Sequence, residues 1–220
     1  RQGAFVVEIG SNDGTLLKSF EALGHQALGV DPAGTYNCLL ECFKDEMVPE
    51  IVDVFGQPEI IVANNVLAHI DDLRGTVRAI KSLLSPTGIF VMEVQYLPDL
   101  IRDQRFDLIY HEHLDYHHFP PLRRFLESEG LYPSAVNHID TQGGSLRVYC
   151  LQKPTKGLYW ADQRIDLSVL KVPDNPVEGL TGVVAAYGAC AKTTGLICQT
   201  GARFDVLYDD TPEKHGMYAP

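Results

Sequence analysis

The sequence predicts an α/β fold, a mostly parallel sheet covered by helices and ending in an antiparallel pair of strands. Three observations carry this. Apolar runs of strand length alternate with helix-length amphipathic stretches, as in a sheet built from βαβ units. The first apolar run enters a glycine turn, Val6-Val7-Glu8-Ile9-Gly10-Ser11-Asn12-Asp13-Gly14. Two late runs are joined only by Thr141-Gln142-Gly143-Gly144, a link too short for a parallel crossover.

Taken in order, Ala4 to Ile9 is the first strand, and Thr15 to Leu23 is a helix ended by Gly24. Ala27 to Val30 is the second strand, closing on Asp31-Pro32. Tyr36 to Val54 reads as helical at first and then loses its period, and no third strand is placed there. Glu59 to Ala63 is the fourth strand. Leu73 to Leu84 is a helix stopped by Pro86 and Gly88, and Gly88 to Val94 is the fifth strand. Pro120 to Glu129 is a helix closed by Gly130. Ser134 to Ile139 and Ser145 to Leu151 form the antiparallel pair, completing a first domain over 1–152. Residues 153–178 carry prolines, charges and weak periodicity, and read as a connector. Residues 179–220 form a partial second Rossmann-like α/β unit: a strand over Gly182 to Tyr187, a helix after Gly188-Ala189-Cys190-Ala191-Lys192, and a strand over Phe204 to Tyr208.

At 220 residues and 45% hydrophobic content the chain can bury one full core. No apolar run approaches the roughly 20 residues of a membrane span, and no signal peptide is visible. The chain opens on Arg1, which reads as a piece of a longer protein. A net charge of −11 argues against nucleic acid, since phosphate binding wants a basic stripe. The five cysteines (Cys38, Cys42, Cys150, Cys190 and Cys198) show no C-x-x-C pair, so neither a disulfide framework nor a zinc site is indicated. Cys38 and Cys42, four apart on the expected helix, read as small buried apolar groups. A reducing cytoplasm fits this usage.

The glycine turn reads as a cofactor cradle. Glycines let a backbone approach a ligand, and the helix N-terminus that follows offers amides. Only two glycines, Gly10 and Gly14, flank Ser11 and Asn12, so the spacing is not the G-x-G-x-x-G of a dinucleotide site. An acid before the first glycine, here Glu8, resembles the methyltransferase pattern, in which a carboxylate attends the charged methionine portion of the cofactor. Asp31, about 20 residues on, is placed to accept from ribose hydroxyls. Asn64 and Asn65 end the fourth strand at the same sheet edge. A mostly parallel sheet with an antiparallel final pair resembles that of the S-adenosyl-L-methionine-dependent methyltransferases, of class I and Rossmann-like, more than that of a dehydrogenase.

A second cluster, Tyr110-His111-Glu112-His113, packs a phenol, two imidazoles and a carboxylate into four residues. In an extended stretch Tyr110 and Glu112 would share one face, and His111 and His113 the other. A histidine is a competent base near neutral pH, a carboxylate can set its tautomer, and a phenol can donate to a developing enolate. His69, after the fourth strand, lies at the same sheet edge and can face the cluster. Four imidazoles also allow a metal site, but the spacing matches no zinc pattern, and no metal is expected. His117 and His118 read as surface residues.

In order along the chain, VVEIGSNDGTLL, GVDPAG, ANNVLAHIDDL, YHEHLDY, GGSLRVY and AYGACAKTT resemble the deoxysugar C-methyltransferases. The resemblance implies S-adenosyl-L-methionine as cofactor and a nucleotide-linked 4-keto-6-deoxysugar as substrate. It assigns His69, Tyr110, Glu112 and His113 to the sugar pocket, and Gly188 and Lys192 to the nucleotide diphosphate. It further implies that His113 removes a proton beside the ketone, with Glu112 in support and Tyr110 or His69 bonding the enolate oxygen. The family's amino-terminal zinc-binding domain and its lid tyrosine are not in this sequence. An O-methyltransferase, a non-catalytic binding fragment and a nicotinamide oxidoreductase are the competing readings.

Overall fold

The computed structural model describes residues 3–154, 156, 158, 160, 165, 167–169, 174, 175, 177–188 and 190–212. Much of the expected connector, Ala189 of the GACAK turn, and residues 213–220 lie outside the described residues.

Two compact units are formed, one from Arg1–Leu97 with Asp115–Gln163 and the other from Pro98–Leu114 with Arg164–Pro220. The Tyr110–His113 segment therefore groups with the carboxyl-terminal residues and not with the sheet that precedes it in sequence.

The first unit is a seven-stranded sheet in the order β3-β2-β1-β4-β5-β7-β6. Its strands are β1 (Phe5–Ile9), β2 (Gln26–Val30), β3 (Cys38–Leu39), β4 (Ile60–Asn64), β5 (Ile89–Gln95), β6 (Tyr132–Ile139) and β7 (Ser145–Leu151). Pairing is parallel from β3 through β5. The late hairpin folds back so that β7, not β6, joins β5, running antiparallel to both neighbours. β1 is buried at every residue, as a central parallel strand covered on both faces must be. That makes Glu8 the one charged side chain in it.

Helices α1 (Thr15–Ala22), α2 (Met47–Phe55), α3 (Leu73–Leu83) and α5 (Phe119–Ser128) belong to this unit, and α4 (Leu97–Arg102) follows β5. α3 shows why such segments become helices. Asp72 caps its start by accepting from the Gly75 amide at 2.8 Å, and Val77, Ile80 and Leu83 recur on one buried face. They join Phe5, Val7, Ile61, Phe90, Leu126 and Val148 in one core. Each such side chain is worth about 1.5–3 kcal/mol when fully buried.

The stretch after β2 departs from expectation. Residues 36–46 form no helix; instead Cys38 and Leu39 pair with Gly29 and Val30 as a two-residue third strand, and α2 starts only at Met47. Cys38 is accordingly half-buried in a strand and Cys42 is exposed in a loop, so the pair is not a buried helical one. Two residues carry too little periodicity to be read, and it is pairing with β2 that makes them a strand.

In the second unit β8 (Ala185–Tyr187) and β9 (Val206–Tyr208) pair in parallel, with α6 (Ala191–Thr200) between them, giving the expected βαβ unit.

Candidate active site

Ligands of open α/β sheets bind at the carboxyl ends of the strands, where the strand order reverses. Here that point lies between β1 and β4. A cleft of about 720 Å³ opens there, lined by Ile9, Gly10, Val30, Asp31 and the Cys42–Glu46 loop on one side, and by Val66, His69, Ile70, Asp72 and Thr76 on the other.

Gly10 is needed for two reasons. Its φ is +76°, and a Cβ there would lie 2.9 Å from the Val66 Cβ. Its amide donates to the Val30 carbonyl at 2.9 Å, tying the turn to the end of β2. Asp31 braces the loops around it, accepting from the Asn12 amide at 2.9 Å and the Ala33 amide at 2.7 Å. A carboxylate has about four acceptor positions, so a ribose can still bond to it. Gly14 serves packing instead: a Cβ there would meet the Tyr36 Cβ at 2.6 Å.

Glu8 is 5% exposed, and its Oε2 has no hydrogen-bond partner among the described residues. Burial, then the charges of Asp13 and Asp31, push its carboxyl up to about 7. Three carboxylates around one glycine turn would repel a diphosphate and attract a cation. Asp13 also takes the Thr15 amide at 3.0 Å, so an acid already sits at the start of α1 where a dinucleotide phosphate would need to be. The Glu8 oxygen and the buried Oδ1 atoms of Asn64 and Asn65, all without a partner among the described residues, and the glycine turn beside them fit a cationic adenosyl cofactor.

Asn65 is held at φ +52° by Glu93. Its amide donates to the Glu93 carbonyl at 2.8 Å and its Nδ2 to Glu93 Oε1 at 3.3 Å. Burial pushes the Glu93 carboxyl up, but donation from Arg147, Thr141 and Asn65 outweighs it and holds the group below the usual range. This lock sets the β4 loop that carries Val66 and His69 into the cleft wall. Neither Glu93 nor the Cys42–Glu46 loop was singled out from sequence. The available signal was an acid inside an otherwise apolar strand and a charged run, Lys44-Asp45-Glu46, after an aromatic.

In the second unit the Tyr110–His113 segment is a turn, not an extended strand: the His113 amide donates to the Tyr110 carbonyl at 3.0 Å. Alternation is thereby lost, and Tyr110 and His113 come together instead of facing apart. The Tyr110 hydroxyl lies 3.2 Å from His113 Nε2, and the ring centroids are 4.4 Å apart. His113 Nδ1 lies 2.8 Å from the Leu108 carbonyl, which can only accept. Nδ1 must therefore carry the proton, leaving the Nε2 lone pair as the basic site of the neutral ring. A carbonyl thus does the tautomer-setting work that sequence reasoning gave to a carboxylate. Glu112 is half-exposed and lies 4.0 Å from His111. Gly188 (φ +96°) ends β8, and Lys192, in the first turn of α6, pairs with Asp107 at 3.3 Å.

Residues 1–134 match the family model of the methyltransferase domain. The chain belongs to that family. Its residues 1–134 are a methyltransferase domain. Over 156 residues it is 35% identical to C-methyltransferase NovU of Streptomyces niveus, a match covering 67% of this chain and 37% of that protein. The chain thus spans well under half the length of this relative. A SAM-dependent methyltransferase from Archaeoglobus fulgidus superposes with a TM-score of 0.55 at 15% identity, covering 67% of this chain and 86% of that one. The 1,6-didemethyltoxoflavin-N1-methyltransferase of Burkholderia thailandensis, solved with S-adenosylhomocysteine, superposes with a TM-score of 0.52 at 16% identity, over 68% of this chain and 71% of that one. The fold is the Rossmann-like class I methyltransferase fold.

Proposed function

We propose that this chain transfers a methyl group to carbon, on a nucleotide-linked 4-keto-6-deoxysugar. The observation that supports it most is the Tyr110–His113 pair, a base with its lone pair set at Nε2 and a phenol beside it. The 35% identity to a protein named as a C-methyltransferase supports the same reading.

When bound, S-adenosyl-L-methionine supplies a methyl on a positively charged sulfur, which a carbon nucleophile takes up to leave S-adenosylhomocysteine. Glu8 offers a negative charge to the cationic part, Asp31 accepts from the ribose, and Gly10 gives the approach. Asn12, Gly14, Asn64 and Asn65 shape the surrounding loops. A ketone at C4 acidifies the hydrogen on the neighbouring carbon, C3 in this proposal. His113 Nε2 takes that proton, and the C–H electron pair moves into the enolate. The lone pair that takes the proton is the one to which Tyr110 donates, so the phenol turns from Nε2 to the ketone oxygen as the proton arrives and donates to the charge that develops there. Alignment in such sites is worth roughly 7 kcal/mol or more. His69 is assigned to the substrate end of the cofactor cleft and Glu112 to a polar contact of the sugar. Gly188 and Lys192 are assigned to the nucleotide end, where a diphosphate would compete with Asp107 for Lys192. Five free cysteines suit a reducing cytoplasm. Among the described residues no helix is long and apolar enough to cross a membrane.

The test compares a 4-keto sugar nucleotide with its 4-deoxy analogue. Turnover of the first alone is expected; methylation of the 4-deoxy compound would remove the enolate step.

A further inference from the structure

We infer that helix α6 positions the Tyr110–His113 pair, and that Gln199 is the positioning residue through which it does so. This rests on the reading of that pair as the proton-handling group, and deepens it.

Three residues of α6 touch the segment that carries the pair. Lys192 meets Asp107 at 3.3 Å, Gly195 lies against Tyr110, and Gln199 Nε2 donates to the Ile109 carbonyl at 2.9 Å. They stand at i, i+3 and i+7, one stripe along the helix. Gly195 sits at the closest point: a Cβ there would lie 3.4 Å from the Tyr110 Cβ and 3.8 Å from the Ile109 oxygen. An alanine would just fit at that distance, whereas a longer side chain would push the two segments apart. None of the described side chains of α6 is fully buried.

The consequence follows from adjacent carbonyls. Leu108 O sets the His113 tautomer, and the next carbonyl along, Ile109 O, is the one Gln199 holds. Anchoring Ile109 O fixes the peptide plane entering Tyr110 and limits rotation of the plane that carries Leu108 O. Gln199 thereby acts on both members of the pair without touching a reacting atom. The carboxyl-terminal βαβ unit has a role in proton transfer as well as any role in nucleotide binding.

The experiment uses the whole chain with Gln199→Leu, which removes the donor, and Gln199→Lys, which restores an N–H of similar reach. The readouts are the ¹⁵N signals of the His113 ring, identified by comparison with His113→Asn, together with kcat, the affinity for S-adenosylhomocysteine and the melting temperature. Wild type should show a single neutral tautomer protonated at Nδ1. Gln199→Leu should mix the tautomers and lower kcat about tenfold to a hundredfold, with cofactor affinity and melting unchanged. Gln199→Lys should restore both signals and rate. Gly195→Ala should be tolerated, whereas Gly195→Leu should reproduce the Gln199→Leu ring spectrum. Unchanged ring signals in Gln199→Leu would overturn the proposal. So would a parallel fall in melting, or failure of the lysine to restore. Turnover surviving in His113→Ala would instead strike the proton-transfer reading, while the ring spectra still decide whether α6 positions the pair.

Discussion

The Tyr110 hydroxyl stands 3.2 Å from His113 Nε2, while the other ring nitrogen of His113 is committed to the Leu108 carbonyl at 2.8 Å. One histidine thus has an assigned proton and an assigned lone pair before any substrate arrives. Removing the base, His113→Ala, is expected to lower turnover about 10²–10⁴-fold. S-adenosylhomocysteine affinity should stay near wild type, since His113 is assigned to the proton on the sugar and not to holding the cofactor. Steady-state rates paired with calorimetry check this, and equal loss of both would make His113 structural.

Tyr110→Phe keeps the ring packed on His113 and deletes only the hydroxyl. The base survives, so the rate should fall less than in His113→Ala. The loss should appear in kcat, because the phenol donates only as charge develops on oxygen. A kinetic comparison of the two variants with the same keto sugar checks the order.

Glu8 gives a pH dependence whose sign can be worked out. Its carboxyl is held at about 7 against an ordinary 4.5, so the ligand-free protein carries it neutral in acid. Stability from the neutral form is complete below about 4.5 and is lost as the pH rises through 7, a cost of roughly 3 kcal/mol. A cationic cofactor favours the ionised form, so binding below pH 7 releases a proton. S-adenosyl-L-methionine affinity should then fall as the pH drops below 7, by up to about tenfold per pH unit. Glu8→Gln should flatten the profile and weaken binding at pH 8. Calorimetry in buffers of different ionisation enthalpy measures the released proton directly.

Gly10→Ala should be doubly penalised, by a clash with Val66 and by a left-handed backbone. A destabilisation of about 1–3 kcal/mol is expected, read as a lower melting temperature. Val66→Gly in the same chain removes the Cβ and both methyls that would be met, and, measured against Val66→Gly alone, should recover the part due to the clash and leave the part due to φ. Full recovery would mean that backbone strain contributes nothing.

What could be read without coordinates was what local chemistry writes into the chain. Glu8 announces itself as an acid within an apolar strand, and Gly10 as a turn between strand and helix. The antiparallel pair was legible because Thr141–Gly144 leaves no room for a crossover. The third strand was not, because Cys38 and Leu39 become a strand only by pairing with Gly29 and Val30. The Cys42–Glu46 wall of the cleft was lost with it. At Tyr110–His113 the residue types pointed to proton transfer, but assuming an extended backbone put the phenol and the imidazole on opposite faces. A single turn bond between the His113 amide and the Tyr110 carbonyl reverses that, and nothing in the four residues themselves declares it. Gln199 and Leu108 act through backbone carbonyls, which no side-chain pattern reveals.

The most direct measurement is ¹³C NMR of the product formed from S-[methyl-¹³C]adenosylmethionine and a nucleotide-linked 4-keto-6-deoxysugar, with His113→Ala alongside. Methylation by the enolate route predicts a new carbon-bound methyl signal that grows about a hundredfold or more slower in the variant. A methyl signal in the O–CH₃ region, or a C–CH₃ signal that grows as fast without His113, would contradict it.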